Sequence, residues 1–132
     1  MLTVKTSHKT QFVDITNDVK RLVRESGVRE GILIVYVPHT TAGVTINENA
    51  DPEVQADILT SLNTIVPENA TYRHLEGNSS AHIKSSLIGA SQCIPITGGD
   101  VCLGTWQGIF FCEFDGPRER KAYIRILEGR LR

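Results

Sequence analysis

The sequence predicts an α+β domain, a compact, sandwich-like arrangement of mixed or antiparallel β-sheet with about three helices. Three observations predict it. Residues 31–37 form a continuous apolar run of strand length closed by Pro38, which reads as a central strand. From residue 93 onward, β-prone stretches are separated by the turn sequences Gly98-Gly99 and Asp115-Gly116-Pro117, as in an antiparallel meander. The helical stretches are interspersed without the regular alternation that a doubly wound parallel sheet requires.

The elements follow in order. The first fifteen residues read as extended, with Phe12, Val13 and Ile15 giving an apolar edge. Thr16 reads as the N-cap of a first helix whose inward stripe is Val19, Leu22 and Val23 and which Gly27 stops. After the central strand, the short connection His39-Thr40-Thr41-Ala42 leads to a second strand at 43–46. Asp51 followed by Pro52 is a helix start, a capping carboxylate and then proline at the first helical position. Val54, Ile58, Leu62 and Ile65 keep the helical period until Pro67. Residues 68–78 are polar and irregular, long enough for a functional loop. Ser79 or Ser80 opens a third helix, with Ile83 and Leu87 expected inward and Gly89 at its end. Strands are expected at 93–97, 101–103, 107–114 and 122–128.

Bulk properties narrow the class. The 132 residues make one domain, 1–132, large enough to hide roughly two-thirds of its unfolded surface. A hydrophobic content of 40% and a charged content of 22% exclude disorder as the main state. A net charge of −1 gives no overall footprint for nucleic acid or membrane. Arg118, Arg120, Lys121, Arg125, Arg130 and Arg132 crowd the C-terminus, but a strand would split them between two faces, so they read as a solvated edge. Cys93, Cys102 and Cys112 are odd in number and form no C-x-x-C pair, which argues against a disulfide framework or a zinc knuckle. They lie in apolar stretches and are expected as small buried hydrophobes. The N-terminus lacks the apolar core of a signal peptide, and no run approaches a membrane span, so the expected home is the reducing cytoplasm.

The chemistry-bearing residues form three sets. His39 follows the central strand, His74 lies in the polar loop, and His82 sits in the first turn of the third helix, where the helix dipole favours the neutral imidazole a metal needs. Three imidazoles from separate elements are candidate ligands of an open His₃ metal site. The second set is acidic. Asn47, Glu48 and Asp51 pack where a strand meets a helix, a donor type suited to Mg²⁺ completed by substrate phosphate. Asp51 is already explained as a cap. Glu48 falls on the apolar side of its strand, where an acid needs a partner. Glu113 alternates onto the face of Phe111, and Asp115 opens a turn. The third set binds anions. Thr40 and Thr41 offer hydroxyls, Asn78 leads into a helix N-terminus, and Arg118 follows a rigid turn. Trp106 is by default a buried structural residue, and otherwise a wall for a flat heteroaromatic ring.

Read together, the segments resemble a known family. Pro38 to Ala42 (PHTTA), Asn47 to Asp51 (NENAD), His74 to Asn78 (HLEGN), Ala81 to Lys84 (AHIK), Leu103 to Gln107 (LGTWQ) and Glu113 to Arg118 (EFDGPR) look like the ordered signature segments of the YjbQ-like family. The resemblance covers nearly the whole chain, with Thr41 standing where a serine would keep the same hydroxyl. It implies a compact α+β sandwich-like domain, often trimeric, with secondary thiamine-phosphate synthase activity. That reaction joins a pyrimidine pyrophosphate to a thiazole phosphate and needs a divalent cation, donors for two phosphates and a flat pocket, but no protein nucleophile. By position, Glu48, Asp51, Glu113 and Arg118 are the candidate catalytic residues. Thr40, Asn47, Asn78 and Trp106 are candidates for binding substrate or cofactor, and His39, His74 and His82 for holding zinc or magnesium. The expectation is a metal-dependent enzyme acting on a phosphorylated small molecule, in a homotrimer that binds neither nucleic acid nor membrane. The same inventory would serve a metal-assisted hydrolase of a phosphorylated metabolite, or a non-catalytic trimeric metabolite-binding protein.

Overall fold

The computed structural model describes residues 1–130. Eight strands and three helices are found among them: β1 (Leu2–Lys5), β2 (Gln11–Asp14), α1 (Thr16–Ser26), β3 (Gly31–Tyr36), β4 (Ala42–Glu48), α2 (Pro52–Ile65), α3 (Ser79–Ile88), β5 (Ser91–Thr97), β6 (Asp100–Val101), β7 (Gln107–Glu113) and β8 (Glu119–Glu128). The strands make two antiparallel sheets, ordered β1-β8-β3-β5-β6 and β2-β7-β4.

Why the chain folds into three layers follows from where its apolar residues fall. Leu33, Val35, Ile94, Ile96 and Ala122 of the larger sheet meet Val44, Ile109 and Phe111 of the smaller one, and Val19 and Val23 of α1 join this core. The other face of the smaller sheet, with Phe12, Phe110 and Cys112, packs under Leu62 of α2 and Ala81 of α3. Strand β7 is therefore covered on both faces, which explains why residues 109–114 are all fully buried.

Several expectations are corrected. Thr16 does not cap α1. Asp14 Oδ1 accepts the Thr16 N–H at 2.9 Å, while the Thr16 hydroxyl accepts the Ile109 N–H at 2.9 Å and so ties helix to sheet. On α3, Ile83 and Leu87 face outward, and Ala81, Lys84 and Ser85 face in. The buried stripe of this helix is Ser80, Ala81, Lys84 and Ser85, polar at three of its four positions. Ile65 of α2 is 70% exposed. Cys93 and Cys102 are exposed, Cys93 because β5 turns it to the uncovered face of the larger sheet beside Ile34; Cys112 is buried, and burial pushes its thiol well up. Trp106 is exposed rather than buried. Arg120 is buried, not part of a solvated edge, and Arg132 of the basic run lies outside the described residues. No helix among the described residues is long and apolar enough to cross a membrane.

Candidate functional site

Strand β4 carries sequence-predicted residues at both ends, and its seven residues set them apart by about 20 Å at a rise of roughly 3.3 Å each. At its start lie His39, Thr40 and Thr41; at its end lie Asn47, Glu48 and, beyond, Asp51. Antiparallel pairing places Glu113 opposite Ala42 and Gln107 opposite Glu48. Trp106 accordingly joins the far end, where its carbonyl accepts the Asn49 N–H at 3.0 Å. Asp51 caps α2 by accepting the Glu53 N–H at 2.9 Å. The Glu48 carboxylate is half-buried and has no hydrogen-bond partner among the described residues. Within one chain, the Glu48–Asp51–Trp106 end and the histidine end are separate places.

The histidine end forms a groove of about 520 Å³, lined by His39, Thr40, Ala42, His82, Ser85, Ser86, Gly89 and Ala90. Its floor is the close approach of α3 to β4. The Val44 N–H donates to the Gly89 carbonyl at 3.1 Å, and a Cβ on Gly43 would sit 2.6 Å from that same oxygen. Ser85 Oγ, which donates to the Thr40 carbonyl at 2.5 Å, fastens the other side. His82 also lines a neighbouring groove with Tyr72, Arg73, His74, Ser79 and Ile83, where the His74 and His82 rings meet edge to face at 5.3 Å.

His39 has a defined protonation geometry. The Lys121 N–H donates to its Nε2 at 3.0 Å. A lone pair at Nε2 means that in the neutral ring the proton sits on Nδ1. Burial, and then the Arg120 charge, lower its pKa below the usual histidine value, with Glu113 opposing. His39 is thus a neutral N–H donor, and neither ring nitrogen is free to ligate a metal. His74 instead faces Glu76, with Nε2 3.8 Å from its carboxylate. Among the described residues no group of three or more His, Cys, Asp or Glu side chains stands close enough to hold a metal ion.

Behind the groove, Glu113 is fully committed. It receives Arg120 Nε at 2.9 and 3.1 Å, Arg120 Nη2 at 2.5 Å, the Thr6 hydroxyl at 2.8 Å and the Asp115 N–H at 3.0 Å. Burial alone would raise its pKa, but these hydrogen bonds and the Arg120 charge hold the carboxyl below its usual value. A carboxylate so saturated has no lone pair left for substrate, which corrects its place among the catalytic candidates. Arg118 is tied back to Asp115 by Nε–H to the carbonyl at 2.9 Å and Nη2 to the carboxylate at 3.1 Å, yet it stays exposed. Asn78 Nδ2 donates to the same Asp115 carboxylate at 3.0 Å, while its Oδ1 is buried with no hydrogen-bond partner among the described residues. Asn78 precedes α3 without capping it by its side chain.

Sequence reasoning missed Arg120, Ser85 and Lys84. Arg120 was hidden in a basic run whose alternation points alternate residues inward; strand periodicity was the available signal. Lys84 is 1% exposed and donates to Asn63 Oδ1, and burial lowers its pKa, opposed by Glu68.

A two-sheet antiparallel α+β scaffold with a histidine- and hydroxyl-lined groove at one end of the smaller sheet defines a distinct class of small protein. The chain belongs to the UPF0047 protein YjbQ-like family, whose model matches residues 1–129. It is 56% identical over 124 residues to UPF0047 protein MJ1081 of Methanocaldococcus jannaschii, covering 94% of this chain and 90% of the relative. It is 50% identical over 127 residues to UPF0047 protein YugU of Bacillus subtilis, with 96% of each covered. Its fold matches a crystal structure of a YjbQ/UPF0047 family protein from Clostridium acetobutylicum with a TM-score of 0.94 at 58% identity, covering 96% of this chain and 98% of that one. A YbjQ-like protein of unknown function from Sulfolobus solfataricus matches with a TM-score of 0.93 at 34% identity, covering 97% and 94%.

Proposed function

We propose that this chain is an enzyme acting on a phosphorylated small molecule bound in the His39–His82 groove, with thiamine-phosphate synthesis, implied by the family resemblance, as the named activity. The observation that carries the reading is the fixed His39 tautomer, a neutral N–H donor at the rim of a groove whose other polar side chains are hydroxyls and an imidazole. Such a donor suits a reaction in which negative charge builds on a leaving phosphate oxygen. In the condensation, the thiazole nitrogen attacks the pyrimidine methylene, the carbon–oxygen bond breaks, and pyrophosphate departs with the electron pair. His39 and the Thr40 hydroxyl hold the departing oxygens. Arg118, near enough for its charge to bear on His39, adds a cation to the same rim. A divalent cation, Mg²⁺ or Zn²⁺, would arrive with the substrate phosphates and neutralise the leaving group, since one chain offers it no closed cage.

The working form in this reading is a homotrimer. It gives Glu48, Asp51 and Trp106 of one copy a route to the groove of another, which they cannot reach in their own chain. Hydrolysis is the weaker reading, because His39 Nδ1 already carries a proton and cannot accept one from water. His82 would be left as the base.

The test supplies purified protein with a hydroxymethylpyrimidine pyrophosphate, a thiazole phosphate and Mg²⁺, and reads products by mass spectrometry. Condensed product with released pyrophosphate is expected, and His39→Ala should lower kcat by about 10²–10³, the usual loss for one oriented donor. Orthophosphate without condensation would move the assignment to a hydrolase. Binding by calorimetry without turnover would make this a binding protein.

A further inference from the structure

The buried ion pair behind the groove takes no part in the proposed reaction, yet it is the most heavily bonded polar cluster described in the chain. Arg120 is 3% exposed and Glu113 0%. Besides its bonds to Glu113, Arg120 Nη2 donates to Thr41 Oγ1 at 2.8 Å and to the Thr41 carbonyl at 3.3 Å. The next residue along β8 supplies the N–H that meets His39 Nε2. One dipeptide, Arg120-Lys121, therefore grips both ends of the His39-Thr40-Thr41 connection. The side chain holds Thr41 from within, and the backbone holds His39 at the surface.

We infer that Arg120 is a positioning residue for His39: anchored on Glu113, it fixes Thr41 and so holds the connection where the Lys121 N–H meets Nε2 and the ring proton stays on Nδ1. The inference rests on the proposed function only for its catalytic consequence, because the positioning exists without substrate. The geometry explains why a charged pair occupies a place that apolar residues could fill at no loss of stability. The planar guanidinium holds the carboxylate through Nε and Nη2 and the neighbouring hydroxyl through Nη2, a fixed two-nitrogen geometry that the single ammonium nitrogen of a lysine does not reproduce. The charges around His39 agree with this arrangement. Arg120 on β8 and Arg118 in the preceding turn disfavour the imidazolium, Glu113 on β7 favours it, and burial decides for the neutral ring. His82 on α3 is the other titratable group lining the groove with it.

The experiment is ¹⁵N spectroscopy of the histidine rings in the ligand-free full chain at pH 8, beside amide exchange. The wild type is expected to show His39 with an unprotonated Nε2 and a protonated Nδ1. Thr41→Val removes one hydroxyl with little change of shape, and Arg120→Lys keeps the charge but loses the fork. In both, the His39 ring should lose its single tautomer. The Lys121 amide should lose protection by about tenfold, roughly the net worth of one hydrogen bond, while amides of β3 and β5 keep theirs. A protonated Nε2 in the wild type, or variants whose His39 ring and Lys121 amide are unchanged, would overturn the inference. Thr41→Val keeps the test open if Arg120→Lys fails to fold. Expected spectra with no turnover in the wild type would sink the proposed reaction and leave the positioning role standing.

Discussion

At the scale of single residues, the buried pair Arg120–Glu113 governs how stability responds to mutation and to pH. Glu113 has no exposure and a lowered pKa, so its contribution is present above pH 4.5, its unfolded value, and is lost as pH falls through the lower folded value. His39 has the same sign. Its folded pKa lies below 6.5, so the unfolded chain binds its proton first and stability declines as pH drops below 6.5. Arg120→Met removes one partner of a desolvated pair and leaves a carboxylate in the core, at a cost of about 3–5 kcal/mol at pH 7. Without the guanidinium, burial raises the Glu113 pKa, so the unpaired group is relieved by protonation. The deficit should therefore be largest at pH 7 and should narrow toward pH 5. Urea unfolding of both proteins at the two pH values measures it, and a deficit that is small or independent of pH would mean that the pair is not a coupled unit.

At the scale of elements, the groove depends on how closely α3 approaches β4. Gly43 is the residue that permits this, since a Cβ there would lie 2.6 Å from the Gly89 carbonyl oxygen, a backbone atom that cannot swing aside. Gly43→Ala should destabilise the fold by about 1–3 kcal/mol, as overpacking does. It should also shift the amide resonances of Ala42, Val44, Gly89 and Ala90 more than those of β3. Thermal unfolding and an amide spectrum read both, and a neutral substitution would show that α3 is free to move. The same contact shows what the sequence could convey. Asp51-Pro52, the apolar run of β3 and the Gly98-Gly99 turn carry local signals, and those elements stand where they were expected. The expected C-terminal meander does not form, because β7 pairs with β2 and β4 in the smaller sheet while β8 crosses to pair with β1 and β3 in the larger one. The inward stripe of α3 was misread because Ile83 and Leu87 are the apolar residues of the segment, while tertiary docking buries Ala81, Lys84 and Ser85 instead. His39 and His82 were picked out by residue type and meet at one groove. The remoteness of Glu48 from both follows from the length of β4, and the tautomer of His39 from a single amide on β8. Long-range register of this kind leaves no mark on local sequence.

At the scale of the whole molecule, the larger sheet has one face without a covering layer among the described residues. Strand β3 is apolar on both sides, the pattern of a strand buried on both faces, yet Ile32, Ile34 and Tyr36 point away from the core. Register sets Ile32 between Pro95 and Leu127, Ile34 between Cys93 and Arg125, and Tyr36 between Ser91 and Tyr123. Arg125 lies over the Tyr123 ring at 5.6 Å, so even the charge on this face is laid across an aromatic. The apolar part of this face lies on β5, β3 and β8, where Cys93, Pro95, Ile32, Ile34, Tyr36 and Leu127 stand in register, and a contiguous patch of this kind marks an interaction surface. A second apolar strip lies elsewhere, where Val54, Ile58 and Ile65 of α2 line an open groove. Two unlike patches on one chain suit a head-to-tail contact that closes into a ring rather than a two-fold dimer, and the proposed homotrimer is the smallest such ring. Light scattering at tens of micromolar should therefore give a mass of about three 14.6 kDa chains. Ile32→Glu with Leu127→Glu places two carboxylates on a face that is exposed in the isolated chain, 42% and 58% for the two residues, so the fold should survive with an unchanged circular dichroism spectrum. The mass should fall to that of one chain, and the turnover expected of the groove should fall with it if a neighbour's Glu48 end completes the site. A wild type that scatters as a single chain would end the trimer proposal and confine the chemistry to the groove around His39.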